Sequence, residues 1–265
     1  MTTSTALNIN QLLQMKQDRE KIAMLTCYDA TFARAMDSAG VDIILVGDSL
    51  GMVIQGSEST VGVSVDEIAY HTACVSKGLV RSFLLADMPF GSFYSESVAM
   101  ENAVKLLSAG GAMVKLEGAG PMIEIVDYLT SRGVPVCAHL GLTPQSVHQL
   151  GGFKVQARDA ADARQLVEDA VSMQQAGAQM LVVECVPASL GKEVSASVDI
   201  PLIGIGAGSD CDGQVLVMHD MLGLGEWTPK FVADFMPHSE TIQGAFEAYV
   251  MAVREGRFPG REHEY

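Results

Sequence analysis

The sequence is poor in positive charge. It has 17 lysines and arginines against 32 aspartates and glutamates, which gives a formal net charge of -15. Nucleic acids and anionic membrane surfaces would repel such a chain, so we expect neither as a partner. An ordinary acidic soluble protein has the same balance, and the charge alone does not choose a function.

Closely spaced cysteines are also lacking. The five cysteines are spread through apolar segments, with no Cys-x-x-Cys pair among them. We therefore expect free thiols in a reducing cytoplasm rather than disulfides or a zinc site. They are Cys27, Cys74, Cys137, Cys185 and Cys211.

No apolar run approaches membrane-spanning length, and residues 1–21 are polar, without the apolar core of a signal peptide. We therefore predict a cytoplasmic protein without a membrane partner. The length of 265 residues matches one (β/α)₈ barrel. A single domain over residues 1–265 is the expectation.

Short apolar runs do recur, and five of them end on an ionisable side chain. Unbroken runs of this length predict strands buried on both faces, as in a parallel sheet wrapped by helices. In a closed parallel barrel the carboxyl ends of the strands line one mouth, where these groups and Lys115 would converge. Like charges repel there unless a cation lies among them, so we expect a bound metal. The runs are DIILVGDS with Asp48, FLLADMP with Asp87, MVKLEG with Glu117, VPVCAHLG with His139 and MLVVEC with Glu184.

An internal repeat supports the barrel. Four segments share a helix end, a glycine and an apolar strand that ends on a polar group: MDSAGVDIILVGD, LLSAGGAMVKLEG, LTSRGVPVCAHLG and MQQAGAQMLVVEC. Glycine at that place predicts a left-handed helix end before a short loop. Apolar residues at helical spacing, as in DARQLVEDAVSMQQAG, predict helices between the strands. The predicted strands cover residues 22–28, 42–47, 82–87, 112–117, 134–139, 180–184, 201–205 and 214–218.

These patterns predict an α/β fold, a (β/α)₈ TIM barrel with N- and C-terminal helical additions. An open doubly wound sheet is the structural alternative, but eight strands with site residues on at least five of them favour closure. Helices around residues 8–18 and 239–255 are predicted to cap the barrel or to build an oligomer contact.

Eight longer motifs follow one another along the chain: VGDSLGMVIQG, LLADMPFGS, MVKLEG, CAHLGLTPQSV, GGFKVQ, LVVECVP, IGIGAG and DGQVLVMHDMLG. In order and spacing they resemble the motifs of the ketopantoate hydroxymethyltransferase family, also called 3-methyl-2-oxobutanoate hydroxymethyltransferases. The resemblance runs from about residue 8 to the end. It departs at Ala157, where family members usually carry Gly, and at GSFYSE; neither departure touches an ionisable group.

The resemblance implies a (β/α)₈ barrel in a large homo-oligomer, commonly a decamer. It implies Mg²⁺ as cofactor and 5,10-methylenetetrahydrofolate as co-substrate. The implied reaction adds a hydroxymethyl group to α-ketoisovalerate through a Mg-stabilised enolate and gives ketopantoate, the first step toward pantothenate.

The acidic residues fit this chemistry. An α-keto acid offers a carboxylate oxygen and its keto oxygen to Mg²⁺, which prefers oxygen ligands and keeps several waters. Asp48 and Asp87 are candidate metal ligands, directly or through water, and Glu117 is expected to complete the acidic wall, as the resemblance also implies. Each carboxylate taken alone has an alternative role as a cap of the next turn, and to Asp29 we assign that structural role.

Three further residues are expected to bind substrate. Lys115 precedes Glu117 by two positions, so both side chains point to one face of the strand. Lys115 is predicted to pair with the substrate carboxylate, and the resemblance implies the same. Ser49 either donates to that carboxylate or only serves the turn. His139 is predicted to hydrogen-bond the substrate, with a histidine satisfied by core groups as the alternative.

Glu184 is the predicted catalytic base. Removing a proton from the carbon beside the keto group needs a base nearby, and Mg²⁺ on the keto oxygen stabilises the enolate. The apolar sequence MLVVECVP would partly desolvate the Glu184 carboxylate and make it a stronger base. A structural salt bridge inside the barrel is the alternative.

The remaining motifs carry less information. GIGAGSD at 204–210 lacks the complete dinucleotide spacing and gives a weak phosphate signal. TPQSVHQLGGFKVQ at 143–156 contains a glycine pair and is a candidate lid. To His71, His148 and His219 we assign no role.

Two other classes of function stay open. One is another Mg²⁺-dependent α-keto acid enzyme of the phosphoenolpyruvate mutase or isocitrate lyase type. Those enzymes commonly use a reactive loop cysteine, whereas each cysteine here lies in or beside an apolar segment. The other is a non-catalytic barrel for assembly or binding, which would not need Lys115, Glu117, His139 and Glu184 together.

Overall fold

The computed structural model describes residues 6–225, 228–237 and 239–265. Eight parallel strands pair in chain order, and β8 pairs again with β1, which closes the sheet into a barrel. The predicted (β/α)₈ fold is therefore confirmed. The strands are β1 (Ile22–Thr26), β2 (Ile43–Val46), β3 (Phe83–Asp87), β4 (Met113–Glu117), β5 (Val136–Gly141), β6 (Met180–Glu184), β7 (Leu202–Ile205) and β8 (Gly213–Leu216).

Helices alternate with the strands and form the outer layer. They are α1 (Ile9–Gln17), α2 (Ala30–Ala39), α3 (Leu50–Val53), α4 (Val65–Ser76), α5 (Glu96–Ser108), α6 (Met122–Thr130), α7 (Val147–Leu150), α8 (Ala160–Gln175), α9 (Ala188–Ser197), α10 (Met218–Met221) and α11 (Ile242–Arg254). Short 3₁₀ turns occupy Pro144–Ser146 and Arg261–His263.

Side chains along each strand alternate between two cores. On β1, Met24 points into the barrel, whereas Ala23 and Leu25 face the helical layer. The interior core also contains Leu12 and Met15 of α1, packed with the first inward side chains of most strands. α1 therefore caps the amino end of the barrel, one of the two roles predicted for it. The carboxyl end is left for the site.

The C-terminal helix α11 packs against the side of the barrel, on α2 and β1, rather than over an end. Its Tyr249 is fully buried, and the hydroxyl lies 2.9 Å from the carbonyl oxygen of Met24 and 2.8 Å from that of Gln214. The phenol thus spans the seam where β1 pairs with β8. α11 completes the helical layer at the point where the barrel closes.

The predicted helix ends are confirmed. The glycines of the four repeated segments all have positive φ, from 86° to 113°, at positions 40, 110, 133 and 177. Asp29 begins α2 as predicted, because its Oδ1 accepts hydrogen bonds from the backbone N–H groups of Thr31 and Phe32. Local sequence chemistry therefore sets most of the loops that lead into strands.

The bounds predicted for three strands were wrong. The run predicted over 22–28 forms β1 at Ile22–Thr26, since Asp29 already begins α2. The run predicted over 134–139 forms a strand at Val136–Gly141, because Pro135 has no N–H to donate and pairing with β6 continues through Gly141. The strand thus extends two residues beyond His139. The run predicted over 214–218 forms β8 at Gly213–Leu216, since Met218 already begins α10.

Two further expectations concern composition. All five cysteines are free thiols, as predicted. Among the described residues, no helix combines the length and apolarity needed to cross a membrane.

We predict that Tyr249→Phe lowers the free energy of unfolding by about 1–2 kcal/mol, because two buried carbonyl oxygens at the β1–β8 seam lose their hydroxyl partner. Urea or guanidinium unfolding of the purified variant measures this. Tyr128→Phe is the matched control, since Tyr128 lies on α6 and its hydroxyl makes no hydrogen bond to a described residue, so its loss should change stability little. Equal stability of Tyr249→Phe and the parent protein would contradict the role of the hydroxyl.

Candidate active site

A cavity of about 630 Å³ opens at the carboxyl end of the barrel. All seven residues predicted from the sequence line it, and they come from the ends of five different strands or the residues directly after them. The structure therefore brings the predicted set together. The seven are Asp48, Ser49, Asp87, Lys115, Glu117, His139 and Glu184.

The strand register explains how four of these side chains become neighbours. Asp87 of β3 pairs with Lys115 of β4, and Glu117 of β4 pairs with His139 of β5. All four point inward, continuing the alternation that buries apolar side chains deeper in the barrel. The floor of the cavity is thus a patch of charge on top of an apolar core.

Lys115 is the central cation of this floor. Its Nζ lies 2.8 Å from Asp87 Oδ1 and 3.4 Å from Glu117 Oε1, and the side chain is only 4% exposed. Burial alone would lower the pKa of Lys115, but the surrounding carboxylates of Asp87, Glu117 and Asp48 outweigh burial and raise it. Lys115 is therefore an ammonium ion at every physiological pH.

His139 links two carboxylates. Its Nδ1 lies 3.2 Å from Glu117 Oε1, and its Nε2 lies 3.2 Å from Glu184 Oε2. Burial and the charge of Lys115 each lower the pKa of His139, but the two carboxylates overcome them and raise it to about 9. The imidazole is accordingly protonated near neutral pH and forms ion pairs with both carboxylates.

The remaining carboxylates differ in how their charge is balanced. The backbone N–H of Asp48 donates to Asp87 Oδ2 at 3.1 Å. Burial raises the pKa of Asp48 well above its usual range, and the charges of Asp87 and Glu117 add to that effect. Burial also raises the pKa of Asp87 despite Lys115. For Glu117, burial is outweighed by Lys115 and His139, which lower its pKa.

This charge pattern fits a divalent cation. The cavity floor has more negative than positive charge, with four carboxylates against Lys115 and His139. The pKa values of Asp48 and Asp87 are raised, so their charged forms are disfavoured unless a further cation binds. The four carboxylates are those of Asp48, Asp87, Glu117 and Glu184. In the described part of the chain, no group of three or more His, Cys, Asp or Glu side chains is arranged so that it could hold a metal ion by itself. Mg²⁺ suits such a place, because it binds one or two carboxylates and fills its other positions with water and substrate oxygens.

Two polar residues at the site were not predicted from the sequence. Gln145 is buried, and its side-chain amide donates to Asp48 Oδ2 at 2.9 Å. Tyr28 is buried beside Ser49, with 2.7 Å between the two hydroxyl oxygens. Gln145 belongs to the motif CAHLGLTPQSV, but a neutral amide does not by itself indicate a functional residue in a sequence. Tyr28 directly precedes Asp29, which was interpreted only as a helix cap.

The rim of the cavity differs in character from its floor. Aromatic and basic side chains surround the opening, and the segment 151–158 contributes several of them. Its position is tied to the site, because the backbone N–H of Gln156 donates to the carbonyl of Cys185, next to Glu184. The rim residues include Phe153, Lys154, Arg158, Lys230, Phe231 and Tyr265.

The remaining motifs take minor places. Of the glycine-rich segment 204–210, Ile205 lines the cavity, and Gly206 lies against Phe231 and Tyr265. His71, His148 and His219 are not among the residues that line the cavity in the described part of the chain.

Solved structures share the fold. A phosphonomutase described as putative, from Burkholderia cenocepacia, matches with a TM-score of 0.62 at 14% identity, over 82% of this chain and 95% of that chain. A phosphonopyruvate hydrolase in complex with oxalate and Mg²⁺ matches with a TM-score of 0.61 at 11% identity, over 80% of this chain and 81% of that chain. At such identities the likeness shows the barrel alone.

Sequence comparison is far more specific. A protein from Nitrosomonas eutropha is 55% identical over 98% of this chain and 97% of its own length, and one from Thiobacillus denitrificans is 54% identical over 98% and 99%. Both are named 3-methyl-2-oxobutanoate hydroxymethyltransferase. The family model described as ketopantoate hydroxymethyltransferase matches residues 6–261. Nearly the whole chain, including every residue of the cavity floor, lies within that match, and the chain belongs to the ketopantoate hydroxymethyltransferase family.

Proposed function

We propose that this protein transfers a hydroxymethyl group from 5,10-methylenetetrahydrofolate to α-ketoisovalerate and so forms ketopantoate, acting in the cytoplasm as a single domain over residues 1–265. The observation that carries the proposal is the cavity floor. It combines a fixed ammonium group, a surplus of carboxylates and a carboxylate–imidazolium pair. The names of the relatives support the same reaction.

Lys115 and Ser49 bind the carboxylate of the keto acid. The ammonium group of Lys115 keeps its charge, because the neighbouring carboxylates raise its pKa. Ser49 is held by the hydroxyl of Tyr28, which orients the Ser49 hydroxyl at the cavity wall. The Nε2 of the protonated His139 has no hydrogen-bond partner among the described residues, so its N–H is available to the substrate. These groups hold an anion in a cavity that is otherwise acidic.

Asp48 and Asp87 would hold Mg²⁺, directly or through water, and Glu117 would complete the acidic wall. Both oxygens of Asp87 and both oxygens of Glu117 face protein donors, whereas Asp48 Oδ1 has no hydrogen-bond partner among the described residues. When bound, Mg²⁺ polarises the keto group and stabilises negative charge on its oxygen. A phosphonopyruvate hydrolase with the same fold was crystallised with oxalate and Mg²⁺, which supports a metal at this mouth.

Glu184 is the base. Its side chain is 12% exposed, against 3% for Glu117 and 1% for Asp87, so it is better placed than either to meet a substrate carbon. The carboxylate of Glu184 removes the proton from C3 of the keto acid, and the positive charge of His139 lies beside that carboxylate, with Nε2 3.2 Å from Glu184 Oε2. C3 then forms a bond to the methylene carbon carried by folate. The bonds from that carbon to the folate nitrogens break, water supplies the hydroxyl oxygen, and tetrahydrofolate leaves.

The rim supports a folate co-substrate. Phe153, Phe231 and Tyr265 offer flat apolar surface for the pterin and benzoyl rings. Lys154, Arg158 and Lys230 offer positive charge to the glutamate carboxylates, in a chain whose net charge is -15. The acidic floor thus suits the keto acid with its metal, and the basic rim suits the folate co-substrate.

A second candidate is another Mg²⁺-dependent carbon–carbon bond enzyme of α-keto acids, which the phosphoenolpyruvate mutase type of fold favours. Cys185 lines the cavity, but burial raises the pKa of its thiol well above the usual range, so it supplies no reactive thiolate. An assay with α-ketoisovalerate and Mg²⁺, with and without methylenetetrahydrofolate, separates the two candidates.

We also propose a closed homo-oligomer, a decamer by the family resemblance. Several large apolar side chains remain exposed, and a second copy of the chain would cover them: Tyr70, Val80, Phe90, Tyr94 and Val104. Light scattering of a dilute solution is expected to give about ten times the chain mass. A fully active monomer would contradict this assembly.

Asp48→Asn and Asp87→Asn are each expected to weaken Mg²⁺ binding at least tenfold and to weaken keto-acid binding with it, because one cation holds both carboxylates and substrate. Calorimetric titration measures both affinities, and chelation of the parent protein should abolish turnover. Asp66→Asn is the control, since Asp66 is an exposed residue of α4. Normal affinities in both site variants would remove the metal assignment.

Proton abstraction can be measured without folate. In heavy water, the protein with Mg²⁺ and α-ketoisovalerate should exchange the C3 hydrogen for deuterium, as followed by proton NMR. Glu184→Gln should slow this exchange at least about a hundredfold, because the amide keeps the shape but cannot accept the proton. The variant should still bind the keto acid through Lys115, Ser49 and the metal.

Glu168→Gln is the control, because Glu168 lies on an exposed face of α8. Exchange by Glu184→Gln at the parent rate would assign the base to another residue. If the parent itself failed to exchange, the complete assay with folate would decide whether folate must bind first or the aldol-type reaction is the wrong one.

A further inference from the structure

Gln145 connects parts of the site that the barrel strands alone do not join. It lies in the 3₁₀ turn Pro144–Ser146 after β5 and is 4% exposed. Its backbone N–H donates to Glu117 Oε2 at 3.0 Å, and its side-chain Nε2 lies 2.9 Å from Asp48 Oδ2 and 3.0 Å from the carbonyl oxygen of Met88. One residue therefore contacts the ends of β2, β3 and β4.

The chemistry of these contacts fits an amide. Both partners of Nε2 are oxygens that only accept, and an amide NH₂ group has two hydrogens to give. The amide is also neutral, so it fixes the Asp48 carboxylate without cancelling the negative charge that attracts a cation. A lysine or arginine at this place would donate as well but would repel the metal.

The contacts leave one oxygen of Asp48 for another partner. Gln145 occupies Oδ2, and no residue that the structure describes hydrogen-bonds Oδ1, although Asp48 lines the cavity. A carboxylate held at one oxygen cannot rotate freely, so the other oxygen keeps one direction. Hydrogen bonds of this kind orient metal ligands in many sites.

The loop around Gln145 is built to hold it still. The backbone N–H of Leu142 donates to the carbonyl of Glu184 at 2.8 Å, and Pro144 fixes the first residue of the turn. Gly141 has a φ of +84°, and a side chain there would collide with the Glu184 backbone. The turn is therefore held against β6, and Gln145 extends from it to Asp48 and Met88.

Stability of the fold does not explain this residue well. The side-chain Oε1 of Gln145 is buried and has no hydrogen-bond partner among the described residues. A buried acceptor without a partner is unfavourable, and this cost offsets part of the stabilisation from the two hydrogen bonds that Nε2 donates. The polar side chain is thus kept at a place where the core itself gains little from it.

We propose that Gln145 is a positioning residue for the divalent metal, which holds Asp48 Oδ2 and Glu117 Oε2 so that Asp48 Oδ1 faces the cation. This inference rests on the proposed metal site and adds a residue to it that does not touch the metal. It predicts a variant that folds normally but binds the metal poorly.

The test uses Mn²⁺ as the probe and the full-length protein without keto acid or folate. Gln145→Met keeps the length of the side chain and removes both amide hydrogens. Titration followed by electron paramagnetic resonance should show a dissociation constant raised at least about tenfold, while the melting temperature without metal stays within about 3 °C. The Mg²⁺ concentration for half-maximal activity should rise similarly, whereas kcat at saturating Mg²⁺ should fall less than about fivefold.

Gln156→Met is the matched control, because the Gln156 side chain bonds only to the carbonyl of Lys154 within its own loop. It should bind Mn²⁺ within twofold of the parent. Gln145→Asn is the second variant, used if Gln145→Met does not fold. Its amide is one methylene shorter and cannot reach both Asp48 and Met88, so it should weaken Mn²⁺ binding in the same direction.

The outcomes separate this inference from the proposed function. If the parent binds Mn²⁺ and the Gln145 variants bind it within twofold, the positioning role is overturned and the metal site stands. If the variants lose affinity only together with a large loss of melting temperature, the role is structural and the inference is again overturned. If the parent binds no divalent ion at all, the metal site fails, and the role of Gln145 fails with it.

Discussion

The site depends on one constraint, which is the surplus of buried negative charge at the barrel mouth. On the cavity floor, Asp48, Asp87, Glu117 and Glu184 lie beside one ammonium group, that of Lys115, and one imidazole, that of His139. Burial, and with it repulsion between the carboxylates, disfavours the charged forms of Asp48 and Asp87 and raises the pKa of both. The parallel strands hold these groups together because their backbones are fixed by pairing on both sides. In the proposed function, a bound cation would relieve this repulsion.

The residues that stabilise the barrel are different from the charged residues of the site. α1 closes the amino end with Leu12 and Met15, and apolar inward side chains fill the interior above it. At the seam, Tyr249 of α11 joins β1 to β8. The charged residues occupy only the last inward positions of the strands. Burial of the two apolar cores can therefore offset the cost of the acidic cavity without any change to the chemistry.

Features that depend on residues close together in the sequence were predicted, and features that depend on contacts between distant residues were not. Strand ends and the spacing of Lys115 and Glu117 are local patterns, and they predicted the barrel and all seven cavity residues. The end of β5 was wrong because pairing with β6, not composition, carries the strand past His139 to Gly141. Gln145 was missed because its partner Asp48 lies 97 positions away and an amide has no titratable signature. Contacts between distant loops become visible only when the barrel is closed.

The likeness to phosphonomutase-type barrels, at 11–14% identity, is one of fold alone. In any closed parallel barrel the carboxyl ends of the strands converge at one mouth. The turn containing Gln145 and the rim around Lys154 and Phe231 belong instead to the connections after β5 and β8. A barrel can therefore bring ionisable groups together at its mouth while its loops decide how these groups are oriented and which substrates are admitted. In this chain those loops place the neutral amide of Gln145 beside the acidic floor and basic and aromatic side chains at the opening. In the proposed function the floor binds the small keto acid and the opening binds the larger anionic co-substrate.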